Sequence, residues 1–217
     1  MYEVTAVFLL ALIFIIVYFI GMRQNRKIAV EYAKAIKEHM AAQSDFVGFR
    51  PYSRGGFRAL CKLKEKKPFT QIEMAVSLVD RENLMHYPLS FLTKDCDRLA
   101  CWGFLDKPLS FNMEVLPVKE EKLRRKMALE KNLKAVALTN EFNESFAVLA
   151  SDQESARRFL SDHGLWKRIL GVRFSLKRLS LSGKDSRIYL IGELKDVSHV
   201  KSFIDILMFC GEKCRKT

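Results

Sequence analysis

The stretch that decides the architecture is VTAVFLLALIFIIVYFIGM, Val4–Met22, which is apolar throughout and carries no charge. A helix of this length spans about 28 Å, close to the thickness of the hydrocarbon core of a bilayer. A cleaved signal peptide would have a basic segment before the apolar run, whereas Glu3 precedes it here. The run therefore predicts a transmembrane helix over 4–22, with a short outer N-terminus over 1–3.

The residues that follow this run predict its orientation. Arg23, Arg26 and Lys27 come directly after it, and positively charged flanks stay on the cytosolic side of a membrane. The N-terminus is therefore expected outside and everything after Met22 in the cytosol, as in a single-pass membrane protein. The same three cations are expected to contact anionic lipid headgroups, each contributing about 1 kcal/mol of attraction.

Beyond the span, apolar residues recur every three or four positions over 23–44. Ile28, Tyr32, Ile36 and Met40 would lie on one face of a helix. We expect this juxtamembrane amphipathic helix to dock through that face, either onto the rest of the chain or onto a partner. A loop with glycine and proline ends the helix and leads into a cytosolic domain over 45–217.

The domain mixes strand-like and helix-like segments without a regular β-α-β order. Period-two alternation and short apolar runs predict strands at Gly56–Lys64, Gln71–Leu78, Leu89–Leu92, Cys101–Leu105, Phe111–Val115 and Glu144–Ala150. Ser151 and Glu154 have the spacing of a capping box at the start of a helix. GVRFSLKRLSLS and SRIYLIGEL flank the turn GKD and predict a hairpin, and a last helix is expected over Asp196–Lys213. This mixture predicts an α+β fold, with a mainly antiparallel sheet and packed helices.

The charge of the chain favours an anionic partner. Its 217 residues contain 37 Lys and Arg against 25 Asp and Glu, a net charge of +12. Such an excess is typical of proteins that contact nucleic acid, the ribosome or acidic lipid. The alternative is that the basic residues only keep the domain soluble and flank the anchor, because they are spread along the chain rather than gathered in one motif.

Two basic segments are candidates for contact with the ribosome or with lipid. VKEEKLRRKMALEKNLK, Val118–Lys134, is charged and helix-prone, and its candidate contact residues are Lys122, Arg124, Arg125 and Lys126. The alternative for this segment is a solvated surface helix. In RFSLKRL, a strand would place Arg173, Ser175 and Lys177 on one face, where they could contact RNA phosphate.

The sequence offers no catalytic, cofactor or metal site. It has no Walker A loop, no G-x-G-x-x-G, no H-E-x-x-H and no G-x-S-x-G. The four histidines are scattered, and Asp95 and Asp97 lie in a polar stretch that resembles a loop or a helix start. The five cysteines form no C-x-x-C pair and are expected to be reduced thiols. We therefore expect no catalytic residue and no cofactor, and an enzyme is the minority hypothesis.

The juxtamembrane run resembles that of a known family. Gly21, Asn25, Ile28, Ala29 and Tyr32 match the pattern G-x-x-x-N-x-x-[LI]-A-x-x-[aromatic] that follows the membrane helix in the calumin family, the coiled-coil-domain subunit of the PAT complex in the multipass translocon. The similarity is looser in FAVLASDQESARRFLSDHGLWKRILGVRFS and VSHVKSFIDILMFCGEK. Neither an acidic segment before the span nor a charged coiled-coil tail is present, so the resemblance is to a short, archaeal-type relative, and calcium binding is not carried over.

The resemblance implies a non-enzymatic factor that associates with the Sec translocon and assists insertion or folding of multipass membrane proteins. The implied partners are the Sec translocon, a small three-helix PAT-type membrane partner, nascent membrane proteins, ribosomal RNA and the lipid membrane. The five matching residues are expected to contact a partner. The membrane would be the cell membrane in an archaeon and that of the endoplasmic reticulum in a eukaryote. The alternative function is a generic membrane-anchored scaffold or sensor whose domain binds a protein partner.

Overall fold

The chain begins with one long helix. A computed structural model describes residues 2–52, 55–65, 67–84, 92 and 95–216. Helix α1, Tyr2–Ala41, contains both the apolar run and the amphipathic stretch, so the two predicted segments are continuous. The apolar N-terminal half of α1 is exposed. Among the residues described, α1 is the one helix that is long and apolar enough to cross a membrane. From Gly21 onward the helix is one-sided: Tyr32, Ile36 and Met40 are buried.

A tight turn after Met40 leads into a sheet that, over the described residues, has nine strands with every pairing antiparallel. The strands are β1 Ser44–Pro51, β2 Gly56–Leu63, β3 Phe69–Ser77, β4 Asp97–Leu105, β5 Met113–Pro117, β6 Lys134–Val136, β7 Phe146–Ala150, β8 Leu176–Ser182 and β9 Arg187–Leu194. Their order across the sheet is β1-β2-β3-β4-β9-β8-β5-β7-β6. The predicted antiparallel α+β fold is confirmed.

The first strands run alongside α1. Near the end of the apolar run, the Asn25 amide contacts the carbonyl oxygen of Val79, just after β3. Near the other end of the helix, the Lys64 ammonium donates to the carbonyl oxygen of Ala42, just after β2. The sheet therefore stands beside the C-terminal half of α1, with its strands roughly along the helix axis.

One face of the sheet packs against α1 and the last helix, α6, Val197–Lys216. The predicted face of α6, which comprises Val200, Phe203, Ile204 and Leu207, is fully buried there. A Cβ atom at Gly192 of β9 would lie 2.2 Å from the Phe203 ring, so the strand and α6 approach as closely as a glycine allows. The other helices are α2 Glu121–Glu130, α3 Asn140–Ser145, α4 Gln153–Leu160 and α5 His163–Gly171.

Several local predictions were wrong or shifted. Glu144 belongs to α3, so β7 begins only at Phe146. The capping box is wrong, because the carboxylate of Asp152, rather than Ser151, accepts the backbone N–H of Glu154 at the start of α4. The strand expected at Phe111–Val115 begins at Met113, and the predicted strand at Leu89–Leu92 lies outside the described residues apart from Leu92. The hairpin of β8 and β9 is confirmed.

Candidate functional site

The contact between α1 and the loop after β3 is made backbone to backbone. A Cβ atom built on Gly21 would lie 2.1 Å from the carbonyl oxygen of Arg81 and 2.8 Å from the Cα atom of Glu82. Atoms cannot approach that closely, so any side chain at position 21 would push the loop away. Gly21 is therefore the point at which the end of the apolar run touches the folded domain.

One helical turn further on, three polar side chains form a buried cluster, which we call the junction network: Asn25, Arg81 and Asp97. The Arg81 guanidinium donates to Asn25 Oδ1 at 2.9 Å and to both carboxylate oxygens of Asp97, at 3.0 and 3.1 Å. Asn25 Nδ2 donates to the Val79 carbonyl oxygen at 3.1 Å, and the Val79 N–H donates to Asp97 Oδ1 at 2.9 Å.

The junction network is shielded from water, which makes its hydrogen bonds hard to replace. The side chains of Asp97 and Arg81 are 5% and 16% exposed, and Asn25 is 4% exposed. A buried carboxylate is stable only when it is paired, and the bidentate arginine supplies that pairing. The network thus joins α1, the loop after β3 and the start of β4 at a single point.

Sequence reasoning placed Asp97 in a loop or helix start, and this is wrong, because it is the first residue of β4. A usable signal was present. Asp97 is in phase with Leu99 and Cys101, which are buried, so a carboxylate on that side of a strand had to have a partner. Nothing in the sequence identified Arg81 as that partner, because the two residues are joined only by the fold.

Tyr32 lies on the same side of α1 and is 5% exposed. Burial, and then the negative charge of Asp97, raise the pKa of its hydroxyl to about 12, so Tyr32 is neutral at physiological pH. Ile28 and Ala29 are half-buried and pack against the same core. Of the two predicted ways for this face to dock, the structure has the contact with the chain's own domain. Contact of Gly21, Asn25, Ile28, Ala29 and Tyr32 with a partner stays a prediction.

The basic flank and the loop after β3 lie at the same level of α1. Arg23, Arg26 and Lys27 are exposed, on the sides of the helix away from the domain. The loop reaches past Gly21 to the apolar run, where Leu84, Tyr18 and Phe14 help to line a groove of about 570 Å³. This loop, which carries Asp80 and Glu82, therefore lies beside the last turns of the apolar run. Contact of the three cations with headgroups remains a prediction.

The predicted basic helix forms as α2, and its charges are partly satisfied within it. Arg125 pairs with Glu121 and Lys126 pairs with Glu130, each one turn apart. Arg124 is half-buried, and its Nε atom has no hydrogen-bond partner among the described residues. Lys122 is exposed. These four residues do share an outer surface, but the ion pairs reduce the net positive charge that it presents.

The predicted basic strand face of Arg173, Ser175 and Lys177 does not form. Strand β8 begins only at Leu176, and Ser175 is buried. The ammonium of Lys177 pairs with Glu193 on the neighbouring strand at 2.6 Å.

The most buried carboxylate, Glu114 of β5, lies on the sheet face opposite α6. Its side chain is 1% exposed and accepts hydrogen bonds from Arg178, Lys131 and Ser180, at 2.7 to 2.8 Å. Burial alone would raise its pKa, but these hydrogen bonds outweigh burial and hold the pKa of Glu114 below its usual value. This carboxylate thus connects β5, β8 and the end of α2 through its hydrogen bonds.

The remaining reactive side chains are held in structural contacts. His39 pairs with Asp205 and His199 with Asp196, and His86 lies outside the described residues. The five cysteines are free thiols, and burial raises the pKa of Cys61 to about 12. Over the described part of the chain, no three His, Cys, Asp or Glu residues are grouped in a way that could hold a metal ion.

Comparison with known proteins gives little. No family model matches the sequence, and no curated protein matches it. Among solved structures, the chain is similar to the crystal structure of the mycobacterial trehalose monomycolate transport factor A, with a TM-score of 0.37 and 6% sequence identity, over 81% of this chain and 77% of that chain. Function is therefore inferred from this chain's own residues.

Proposed function

We propose that this chain is a non-enzymatic membrane-protein biogenesis factor, which works beside the Sec translocon on multipass membrane proteins. The junction network supports this most, because it fixes a folded domain against the base of a candidate membrane span. A factor that assists newly inserted segments needs its domain held next to the membrane. A flexible linker would let the domain drift over tens of ångströms instead.

The surroundings of the junction network agree with this role. The exposed cations Arg23, Arg26 and Lys27 favour a cytosolic position for the domain, where ribosomes and newly made chains are found. Gly21 and Asn25, which belong to the run that resembles the calumin family, hold the domain in place. The proposed partners are the Sec translocon, a small three-helix membrane partner, nascent membrane proteins and, through α2, the ribosome.

The same rigid junction favours a second candidate, a membrane-anchored scaffold or sensor whose domain binds a protein partner. A span that is locked to its domain can pass a change in its membrane surroundings on to that domain. The two candidates differ in their effect on other proteins. Deletion should lower the levels of multipass membrane proteins if the chain is a biogenesis factor and leave them unchanged if it is a scaffold or sensor.

The proposal is tested by cross-linking in native membranes, with ribosomes kept intact during purification. A photo-activated side chain replaces Phe14 in the candidate span, or Leu129, which is exposed on α2. We expect channel subunits to be captured from position 14 and ribosomal proteins from position 129. Lys201, exposed on α6, is the matched control and should capture neither. Capture of neither translocon nor ribosomal proteins from positions 14 and 129 would overturn the proposal.

A further inference from the structure

The sheet face opposite α1 and α6 is uncovered over much of its width. Helix α2 covers only the end formed by β5 and β7, where Met127 packs with Leu116 and Leu149. From β8 to β1 the outward side chains alternate with the buried core residues. Apart from Ser180 and Ala75, which are buried, they are half-buried or exposed. We call this surface the open face. Because the strands run along the axis of α1, the open face is parallel to that axis. It lies on the side of the sheet away from α1 and is accessible to solvent.

Two aromatic rings lie at the centre of the open face. Trp102 of β4 and Tyr189 of β9 are direct partners across the two strands. Their ring centroids are 5.4 Å apart, with planes tilted by 34°, and both side chains are half-buried. A groove lies on either side of the pair: one of about 390 Å³ with Phe46 and Leu60, and one of about 310 Å³ with Arg178 and Arg187.

Both cations and carboxylates lie around the aromatic pair: Glu73 is the partner of Trp102 across β3 and β4, and Glu193 is the partner of Arg98 across β4 and β9. Arg178 already stacks over the Tyr189 ring, with its guanidinium carbon 5.7 Å from the ring centroid. Arg58 lines the groove on the other side, and its buried Nε atom has no hydrogen-bond partner among the described residues. Arg98 and Lys62 are exposed on the same face. Arg178 is already paired with Glu114, and Arg187 with Asp185. The inference therefore rests on Arg58, Arg98 and Lys62 as the cations of this face that could contact a polyanion carrying flat rings.

We propose that the open face binds single-stranded RNA. Bases would stack on Trp102 and Tyr189, as unpaired bases do on aromatic side chains of a sheet, while Arg58 and Arg98 contact phosphate. The Ser182 hydroxyl and the Asp185 carboxylate at the rim supply partners for ribose 2′-hydroxyl groups, which favours RNA over DNA. The aromatic pair lies on the sheet face opposite that of Asp97, which is in phase with the buried Leu99 and Cys101. The inference does not rest on the proposed function.

The first test uses the full chain in detergent with Trp166 replaced by phenylalanine. Trp102 is then the only tryptophan, since the chain has two. Single-stranded oligouridine of about ten nucleotides should quench the Trp102 fluorescence in a saturable manner. Duplex RNA and oligodeoxyuridine of the same length should quench it only weakly. Absence of quenching by oligouridine, or equal affinity for the DNA oligonucleotide, would overturn the proposal.

The second test measures anisotropy of labelled oligouridine with variants of the open face. Replacing Trp102 and Tyr189 together by alanine should weaken binding about tenfold or more, and replacing both by phenylalanine should leave it close to wild type. Arg58→Gln with Arg98→Gln should flatten the salt dependence. The matched pair Lys37→Gln with Lys201→Gln removes the same charge from exposed positions on α1 and α6 and should not.

Two outcomes would replace specific RNA binding at the open face by another explanation. Equal losses from the two charge pairs would indicate non-specific attraction of RNA to a basic chain. Quenching of Trp102 by vesicles of phosphatidylglycerol, but not by oligouridine, would make the open face a lipid contact. Either result contradicts the RNA proposal, and the quenching measurement remains decisive if the alanine variant does not fold.

Discussion

Replacement of Gly21 should disturb the contact between α1 and the loop after β3 most directly. Even the methyl group of alanine would overlap the backbone of Arg81 and Glu82. We expect Gly21→Ala to destabilise the domain by about 1–3 kcal/mol, the usual cost of overpacking a close contact. Thermal unfolding of the detergent-solubilised chain, followed by circular dichroism, measures the effect.

Gly171 provides the matched control for that substitution. It also lies in a helix, α5, but a Cβ atom there would meet nothing within 4 Å. Gly171→Ala should leave stability unchanged or raise it by up to about 1 kcal/mol, because alanine favours a helix more than glycine does. Equal losses of stability in the two variants would show that the close contact at Gly21 does not cause the destabilisation.

Glu114 makes stability depend on pH in a predictable direction. Its pKa is lowered in the folded chain from an ordinary value of 4.5, so its contribution is present above about that pH and is lost as the pH falls through the lower folded value. Glu114→Gln should cost about 3 kcal/mol at neutral pH, because Arg178 and Lys131 lose their buried partner.

The measurement is the midpoint of unfolding between about pH 7 and about pH 3. The difference between wild type and Glu114→Gln should narrow as the pH falls. Glu144→Gln, at an exposed position in α3, should follow the wild type at every pH. A difference that stays constant with pH would show that the Glu114 carboxylate is not the source of the dependence.

At the scale of elements, α1 acts as one rod, which fixes the rotation of the span relative to the sheet. One alanine inserted after Met22 should turn the span by about 100° and carry Tyr18 away from Leu84. Cysteines at positions 18 and 84, in a chain with Cys96 and Cys214 replaced by serine, should be joined by a short bismaleimide only without the insertion. Inserting the alanine after Val4 instead should preserve the cross-link, because it leaves both positions in register. A cross-link that survives the insertion after Met22 would contradict a fixed rotation.

The elements that the sequence predicted are those with a long, regular pattern. Ile72, Met74 and Val76 alternate in β3, and the spacing of Phe203 and Leu207 in α6 is helical, so local pattern and burial agree. The six-residue helix α3 was missed because it is too short to show a helical period. The junction network could be predicted only in half. Asp97 is on the same side of β4 as the buried Leu99 and Cys101, so its burial could be predicted. Its pairing with Arg81 could not, because it depends on how the loop after β3 contacts α1.

At the scale of the whole molecule, orientation should depend on three exposed cations. Replacing Arg23, Arg26 and Lys27 together by glutamate removes the positive flank that is expected to keep the domain in the cytosol. We expect a mixed or inverted orientation, measured by protease protection of the C-terminus in sealed vesicles. Replacing Lys167, Lys184 and Lys201 by glutamate changes the charge equally, at exposed positions far from the span in the sequence, and should leave the orientation unchanged. Unchanged orientation in the first variant would refute the role of the flank.

The tight turn between α1 and β1, together with the junction network at the other end of the first strands, has a directional consequence. A domain held at both ends of the C-terminal half of α1 can neither swing away from the helix nor rotate about it. In a membrane, the sheet would therefore keep one rotational position relative to the candidate span, and a neighbour packed on one side of the span would always face the same edge of the sheet. The direction from that neighbour to the aromatic pair, Trp102 and Tyr189, would then be the same in every copy of the chain.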